Sequence, residues 1–173
     1  RLKNIVDDYL VKSDTIIAKV LSDKGSPFLK SIIVNKGSKH KINLGMIAMD
    51  GAYLVGKVVE VNYLSSRILL LSDLNSKIPV IVEPNTVFSI LSGTGKDYGI
   101  IQYSKKFEDI KNESVIYTSG AGSLFKAGIP IGKINENFLD DELDNEKKVE
   151  FFSDFSQLRF VKVVSFKKSE NKW

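Results

Sequence analysis

The sequence predicts an all-β fold, a barrel or a sandwich, and three observations carry that prediction. Short apolar or alternating runs recur from Thr15 to Phe166. Clusters rich in Gly, Pro, Asn, Asp and Ser separate these runs at intervals of about ten residues, the spacing of strands joined by turns. The one good helical period is confined to residues 1–12, where Leu2, Ile5 and Tyr9 fall at a/d-like spacing and Val6 and Leu10 widen the stripe.

Taken in order, the N-terminal segment reads either as a helix docked on its own domain or as the last turns of a coiled coil. In the second case Leu2, Ile5 and Tyr9 form the dimerisation stripe. Residues 15–22 read as a strand and 23–27 as a turn. Residues 29–35 are a second strand, followed by a lysine-rich turn over 36–41. Residues 45–49 are a third strand, and Asp50-Gly51 is a tight-turn signal. Residues 53–61 are a fourth, with Gly56 marking a bulge or a bend. Residues 67–72 are nearly all apolar and read as a strand buried on both faces. In residues 78–82, Pro79 argues for an edge or a strand start. Glu83-Pro84-Asn85 is the best candidate domain boundary. Residues 87–91, 100–103 and 115–117 continue the strand series, and 138–148 read as an exposed loop. Residues 149–152 and 158–166 close the chain as strands, and 167–173 read as a frayed tail.

A chain of 173 residues holds one ordinary domain or two small ones. A hydrophobic content of 43% and a charged content of 27% are those of a globular protein able to bury a core. Cysteine is absent and His40 is the single histidine, which excludes disulfides, thiolate chemistry and multi-histidine metal sites. No cofactor is expected. A net charge of +4 and a pI near 9.1 permit attraction to an anionic surface without demanding nucleic acid. No apolar run approaches the ~20 residues of a membrane span. The chain starts at Arg1 rather than at a methionine, so we read it as a fragment whose upstream part would hold any anchor.

The most distinctive stretch is 118–133, which places Gly120, Gly122, Gly128, Gly132 and Pro130 between two apolar runs. Glycine at this density implies tight turns, and Gly-Ile-Pro-Ile-Gly a fixed bend into a strand. The stretch has no carboxylate or histidine, so it reads as a structural turn motif that routes the chain back into a barrel. Residues 93–99 (Gly-Thr-Gly-Lys-Asp-Tyr-Gly) invite comparison with a phosphate loop. Ile90 and Asp97 stand where that motif needs glycine and Ser or Thr, so a glycine hairpin is the better reading. His40, Asp73 and Ser119 follow the His…Asp…Ser order of double-barrel serine proteases, but order without geometry is weak evidence. A hydrolase therefore stands only as an alternative, and no catalytic or metal-binding residue is assigned. A small basic β-barrel that binds nucleic acid is the other alternative. Against it, Phe88, Phe151, Phe152, Phe160 and Phe166 sit in apolar strands and read mostly as core, and Lys36, Lys39 and Lys41 read as a solvated turn.

A set of short segments resembles one family. It runs through Asn35-Lys-Gly37, Gly45-Met46, Gly51, Leu54-Val-Gly-Lys-Val58, Ser65-Ser-Arg-Ile-Leu-Leu-Leu-Ser-Asp73, Asn75-Ser-Lys-Ile-Pro-Val80 and Gly93-Thr-Gly95. It ends with Thr118-Ser-Gly120 on to Phe125 and Gly128-Ile-Pro-Ile-Gly-Lys133. In order and spacing these resemble the extracytoplasmic part of the MreC family of bacterial rod shape-determining proteins, over about residues 15–166. Lys126 departs from the pattern, which has a proline after the aromatic, and is expected to loosen that turn. The resemblance implies two small β-barrels after a coiled-coil helix that promotes dimers, with a transmembrane helix and a cytoplasmic tail upstream. It implies a non-enzymatic scaffold on the outer face of the inner membrane, in the periplasm, that organises lateral peptidoglycan synthesis. The implied partners are a second copy, the elongation-specific penicillin-binding transpeptidase, the RodA-type polymerase, MreD and MreB.

Within that frame the punctuation assigns residues 29–84 to one barrel and 86–166, joined by 15–22, to the other, which makes the latter discontinuous. The expected mode of action is binding alone. The N-terminal stripe pairs two copies, a cleft or strand edge docks the transpeptidase and shifts it toward its active form, and exposed edges permit filament-like assembly.

Overall fold

A computed structural model describes residues 15–21, 30–102, 110–123, 125–136 and 146–166. The expected helix over 1–12, with Leu2, Ile5 and Tyr9, and the tail 167–173 lie outside the described residues. So does most of the loop expected over 138–148, whose last two residues begin a strand.

Alternating burial turns the described segments into twelve strands. They are β1 (Thr15–Leu21), β2 (Ser31–Val34), β3 (Ile47–Asp50), β4 (Tyr53–Val61), β5 (Ser66–Leu70) and β6 (Lys77–Glu83). They continue as β7 (Val87–Gly93), β8 (Tyr98–Gln102), β9 (Val115–Thr118), β10 (Pro130–Ile134), β11 (Lys147–Phe151) and β12 (Phe160–Val164). Two closed barrels result, in the orders β1-β12-β3-β4-β5-β2 and β10-β11-β8-β7-β6-β9. The all-β, two-barrel fold is the one the sequence and the resemblance imply.

The division of the chain between the barrels differs from the expected one. β1 pairs with β12 and β2, so it completes the first barrel and not the second. The first barrel is the discontinuous one. It is closed by β12, with Thr15 opposite Val164, and the second barrel is a continuous insertion from β6 to β11. Glu83-Pro84-Asn85 is not a boundary; it lies in the β6–β7 hairpin, inside the second barrel, and Glu83–Pro84 is cis. The true crossings are at 71–76 and 152–159. The physical reason is that strand partnership is set by non-local pairing, about which a proline turn carries no information. Closure also removes the strand edges expected to serve docking and self-pairing, since a closed barrel has none.

Two further strands depart from expectation. β5 is not buried on both faces: Ile68 and Leu70 point inward while Arg67 and Leu69 are half-exposed. β3 is buried on both faces instead. Its Ala48 joins the core of the first barrel, with Ile32, Val34, Ile68 and Val163. Ile47 and Met49 face the other way and join the core of the second barrel. Leu54, Leu71 and Val164 do the same, against Ile129, Ile131 and Ile134 among others. Pro79 sits inside β6, which is paired on both sides, one residue before the β9 ladder begins at Val80. There a missing N–H costs no ladder bond.

The barrels thus share one apolar core across their junction, and polar bonds pin the crossings. At the first, Asp73 is 1% exposed; its Oδ2 accepts from Lys30 N and its Oδ1 from Asn75 N, both at 2.8 Å. At the second, Ser153 Oγ donates to Asp50 Oδ2 at 2.7 Å, and the Tyr53 and Phe152 rings lie 5.0 Å apart. Buried polar groups are tolerated here because they are bonded.

Candidate partner-binding surface

The glycine stretch connects β9 to β10 within the second barrel. Thr118, fully buried, organises it: its Oγ1 donates to Lys126 O and accepts from Ile129 N at 3.0 Å. Its backbone N–H donates to Ile129 O, and Gly128 N donates to Thr118 O. Gly128 has φ +87° and Gly120 φ +75°, conformations that glycine adopts without a Cβ penalty. Gly122 (φ +72°) lies in a 3-10 turn over Ala121–Ser123, and buried Phe125 anchors the loop in the shared core. Gly132 has a different reason to be glycine: a Cβ there would stand 2.2 Å from Glu150 O on the adjacent strand. Lys126 does not loosen the turn at its carbonyl, which Thr118 holds. Its Nζ lies 5.8 Å from the Phe166 ring centroid, and burial pushes its pKa below the ordinary lysine value.

The three protease-like residues are each engaged with nearby backbone. His40 Nδ1 accepts from Gly37 N in a 3-10 turn of the first barrel, and Asp73 is held at the first crossing. Ser119 Oγ accepts from Ala121 N at 3.2 Å. None of these bonds joins one of the three to another.

What the sequence reading missed is on the outside of the second barrel. Phe88, read as core, is 66% exposed, and so is Phe160 of the first barrel at 57%. Phe151 is half-buried and packs against the shared core with Phe155, their rings 4.9 Å apart. Phe88 on β7 stands opposite Ile81 on β6, Ile81 opposite Tyr117 on β9, and Tyr117 opposite Pro130 on β10. Directly opposed residues of an antiparallel sheet share a face. These four therefore make one outward apolar row, about 14 Å long at the usual strand spacing. Ile90, 40% exposed, stands opposite Pro79 and widens it. The row ends beside the glycine loop, whose Pro130 is its last member. The signal lay in the alternation of β7, where Val87 and Leu91 turn inward and Phe88 and Ile90 outward.

Fold and surface define a class: a tandem closed-barrel protein with a shared core and an outward apolar band. The chain belongs to the MreC family, since the family model for the rod shape-determining protein MreC, barrel core, matches residues 20–165. The cell shape-determining protein MreC of Cereibacter sphaeroides is 32% identical over 84% of this chain and 47% of its own length. That of Caulobacter vibrioides is 31% identical over 87% of this chain and 42% of its own. The chain thus spans less than half the length of these relatives. The crystal structure of MreC from Pseudomonas aeruginosa superposes with a TM-score of 0.78 at 28% identity, covering 88% of this chain and 99% of that one. A complex between penicillin-binding protein PBP2 and MreC from Helicobacter pylori shares the fold, with a TM-score of 0.64 at 15% identity over 89% of this chain and 99% of that one. No helix among the described residues is long and apolar enough to cross a membrane.

Proposed function

We propose that this chain is a non-enzymatic scaffold of the machinery that extends the lateral bacterial cell wall, working on the outer face of the inner membrane. In this reading the Phe88–Ile81–Tyr117–Pro130 band docks the elongation-specific penicillin-binding transpeptidase and biases it toward its active form. The observation that carries the reading is the band itself: a large aromatic, 66% exposed, in a row of apolar side chains on a barrel with no open edge. Such anchors dominate interface energies. Family membership and the partner of the Helicobacter pylori protein support the choice of partner. The RodA-type polymerase, MreD and MreB complete the assembly, and Leu2, Ile5 and Tyr9 pair two copies.

The test is binding of the purified transpeptidase ectodomain to the immobilised chain. Phe88→Glu is expected to weaken binding roughly 30-fold, the effect of one central anchor, with the melting temperature unchanged. Wild-type affinity in a folded Phe88→Glu, Ile81→Glu double variant would remove the band from the docking role.

A further inference from the structure

A second surface lies at one pole of the first barrel. Antiparallel pairing brings to that pole the ends of β2, β4 and β12 and the starts of β1, β3 and β5. Two turns crown it. One is the 36–46 segment and the other the β4–β5 hairpin turn at 62–65. Backbone bonds clasp them together: Ser38 N donates to Asn62 O at 2.9 Å and Lys39 N to Tyr63 O at 3.1 Å. The approach is so close that a Cβ on Gly37 would stand 2.1 Å from Asn62 O.

Each turn offers large apolar side chains to solvent at its tip. Leu44 is 66% exposed, Tyr63 65% and Leu64 56%. Leu44 precedes Gly45, whose φ of +83° and the Met46 N to Asn43 O bond define a type II turn, so Leu44 projects from its corner. Around these tips the charge is mostly positive. Residues 36–46 contain Lys36, Lys39 and Lys41 and no acid, residues 61–66 contain no acid, and Glu60 just before them is paired with Arg67. The Lys39 ammonium lies 6.0 Å from the Tyr63 ring centroid.

Apolar tips on separate rigid turns, ringed by cations, suit a surface that is both anionic and apolar beneath. A soluble anionic polymer would use the lysines and leave Leu44 and Leu64 in water. A protein partner would favour one contiguous anchor cluster over side chains on separate turns. We infer that this pole rests on an anionic phospholipid bilayer, with Leu44, Tyr63 and Leu64 entering the headgroup region and Lys36, Lys39 and Lys41 facing the phosphates. The chain joins the barrel at this same pole, through Thr15. The surface is on the other barrel from the apolar band, so each is disabled separately.

The test is co-sedimentation of the chain with phosphatidylcholine vesicles and with vesicles containing phosphatidylglycerol. Binding is expected only to the anionic vesicles and is expected to fall with salt. The triple variant Lys36→Gln, Lys39→Gln, Lys41→Gln should lose roughly a hundredfold in partitioning, at the usual contribution per lysine. Leu44→Ser with Leu64→Ser should also weaken binding while leaving the charge unchanged. Lys77→Gln with Lys111→Gln, on the second barrel, is the control that should bind as wild type. The inference is overturned by no binding to anionic vesicles. It is equally overturned if folded Leu44→Ser, Leu64→Ser protein binds as wild type, or if soluble polyphosphate competes fully, because then charge alone is at work.

Discussion

Replacing Leu54 with alanine is expected to destabilise both barrels at once. Leu54 is a β4 residue of the first barrel, 1% exposed, yet its side chain belongs to the core that contains Ile131 and Leu91 of the second. Truncating a buried leucine costs about 3 kcal/mol, within a range of roughly 2–5, because a cavity replaces the lost contacts. For a chain of this size each kcal/mol corresponds to about 2–4 °C, so the midpoint should fall by roughly 6–12 °C. Differential scanning calorimetry reads the outcome. The wild type should melt in one transition, and Leu54→Ala should move that transition as a whole. Ile68→Val, confined to the core of the first barrel, should move the same single peak by a smaller amount. Two resolved transitions, with Leu54→Ala shifting one of them alone, would show that the shared core does not couple the barrels.

Other outcomes follow from single positions. Gly132→Val should cost about 4 kcal/mol or more and yield little folded protein, because its Cβ would meet a strand carbonyl and not a mobile side chain. Gly128→Ala, strained by its φ of +87°, should lose about 1–2 kcal/mol in urea titration. Asp154 accepts from Ser156 N at 3.0 Å and from Ser156 Oγ at 2.6 Å, which hold its carboxyl below the usual carboxylate range. A lowered folded pKa means stability that is present above the ordinary carboxylate value and lost as pH falls through the folded one. Thermal melts from about pH 7 to about pH 3 should therefore show a steeper acid loss in the wild type than in Asp154→Ala, which melts lower at neutral pH.

Local chemistry was legible in the sequence wherever the determinant was local. β4 runs from Tyr53 to Val61 as read, because Asp50-Gly51 fixes its start and its apolar pattern its length. The bulge expected near Gly56 is there, between Ala48 and Met49 opposite Gly56 and Leu54. Which strands neighbour one another was not legible, because nothing in Thr15–Leu21 encodes that its partner is Phe160–Val164. Burial was misjudged for a related reason. Leu69 and Met49 are both apolar, and only the assembled junction makes the second an inside residue and leaves the first half-exposed. Phe88 escaped notice in the same way, since an outward aromatic in an apolar strand has the composition of a core.

The closing role of β12 bears on synthesis. As the chain is made, residues 77–151 present every strand of the second barrel, while the first still lacks the strand that sits between β1 and β3. The later barrel in sequence is thus the earlier one able to close. Until residues 160–164 arrive, β1 and β3 each keep an unpaired flank, a template for stray strands. A product stopped just short of Phe160 would leave the first barrel open between β1 and β3 and the shared core without Val164. Closure of the first barrel therefore waits on β12.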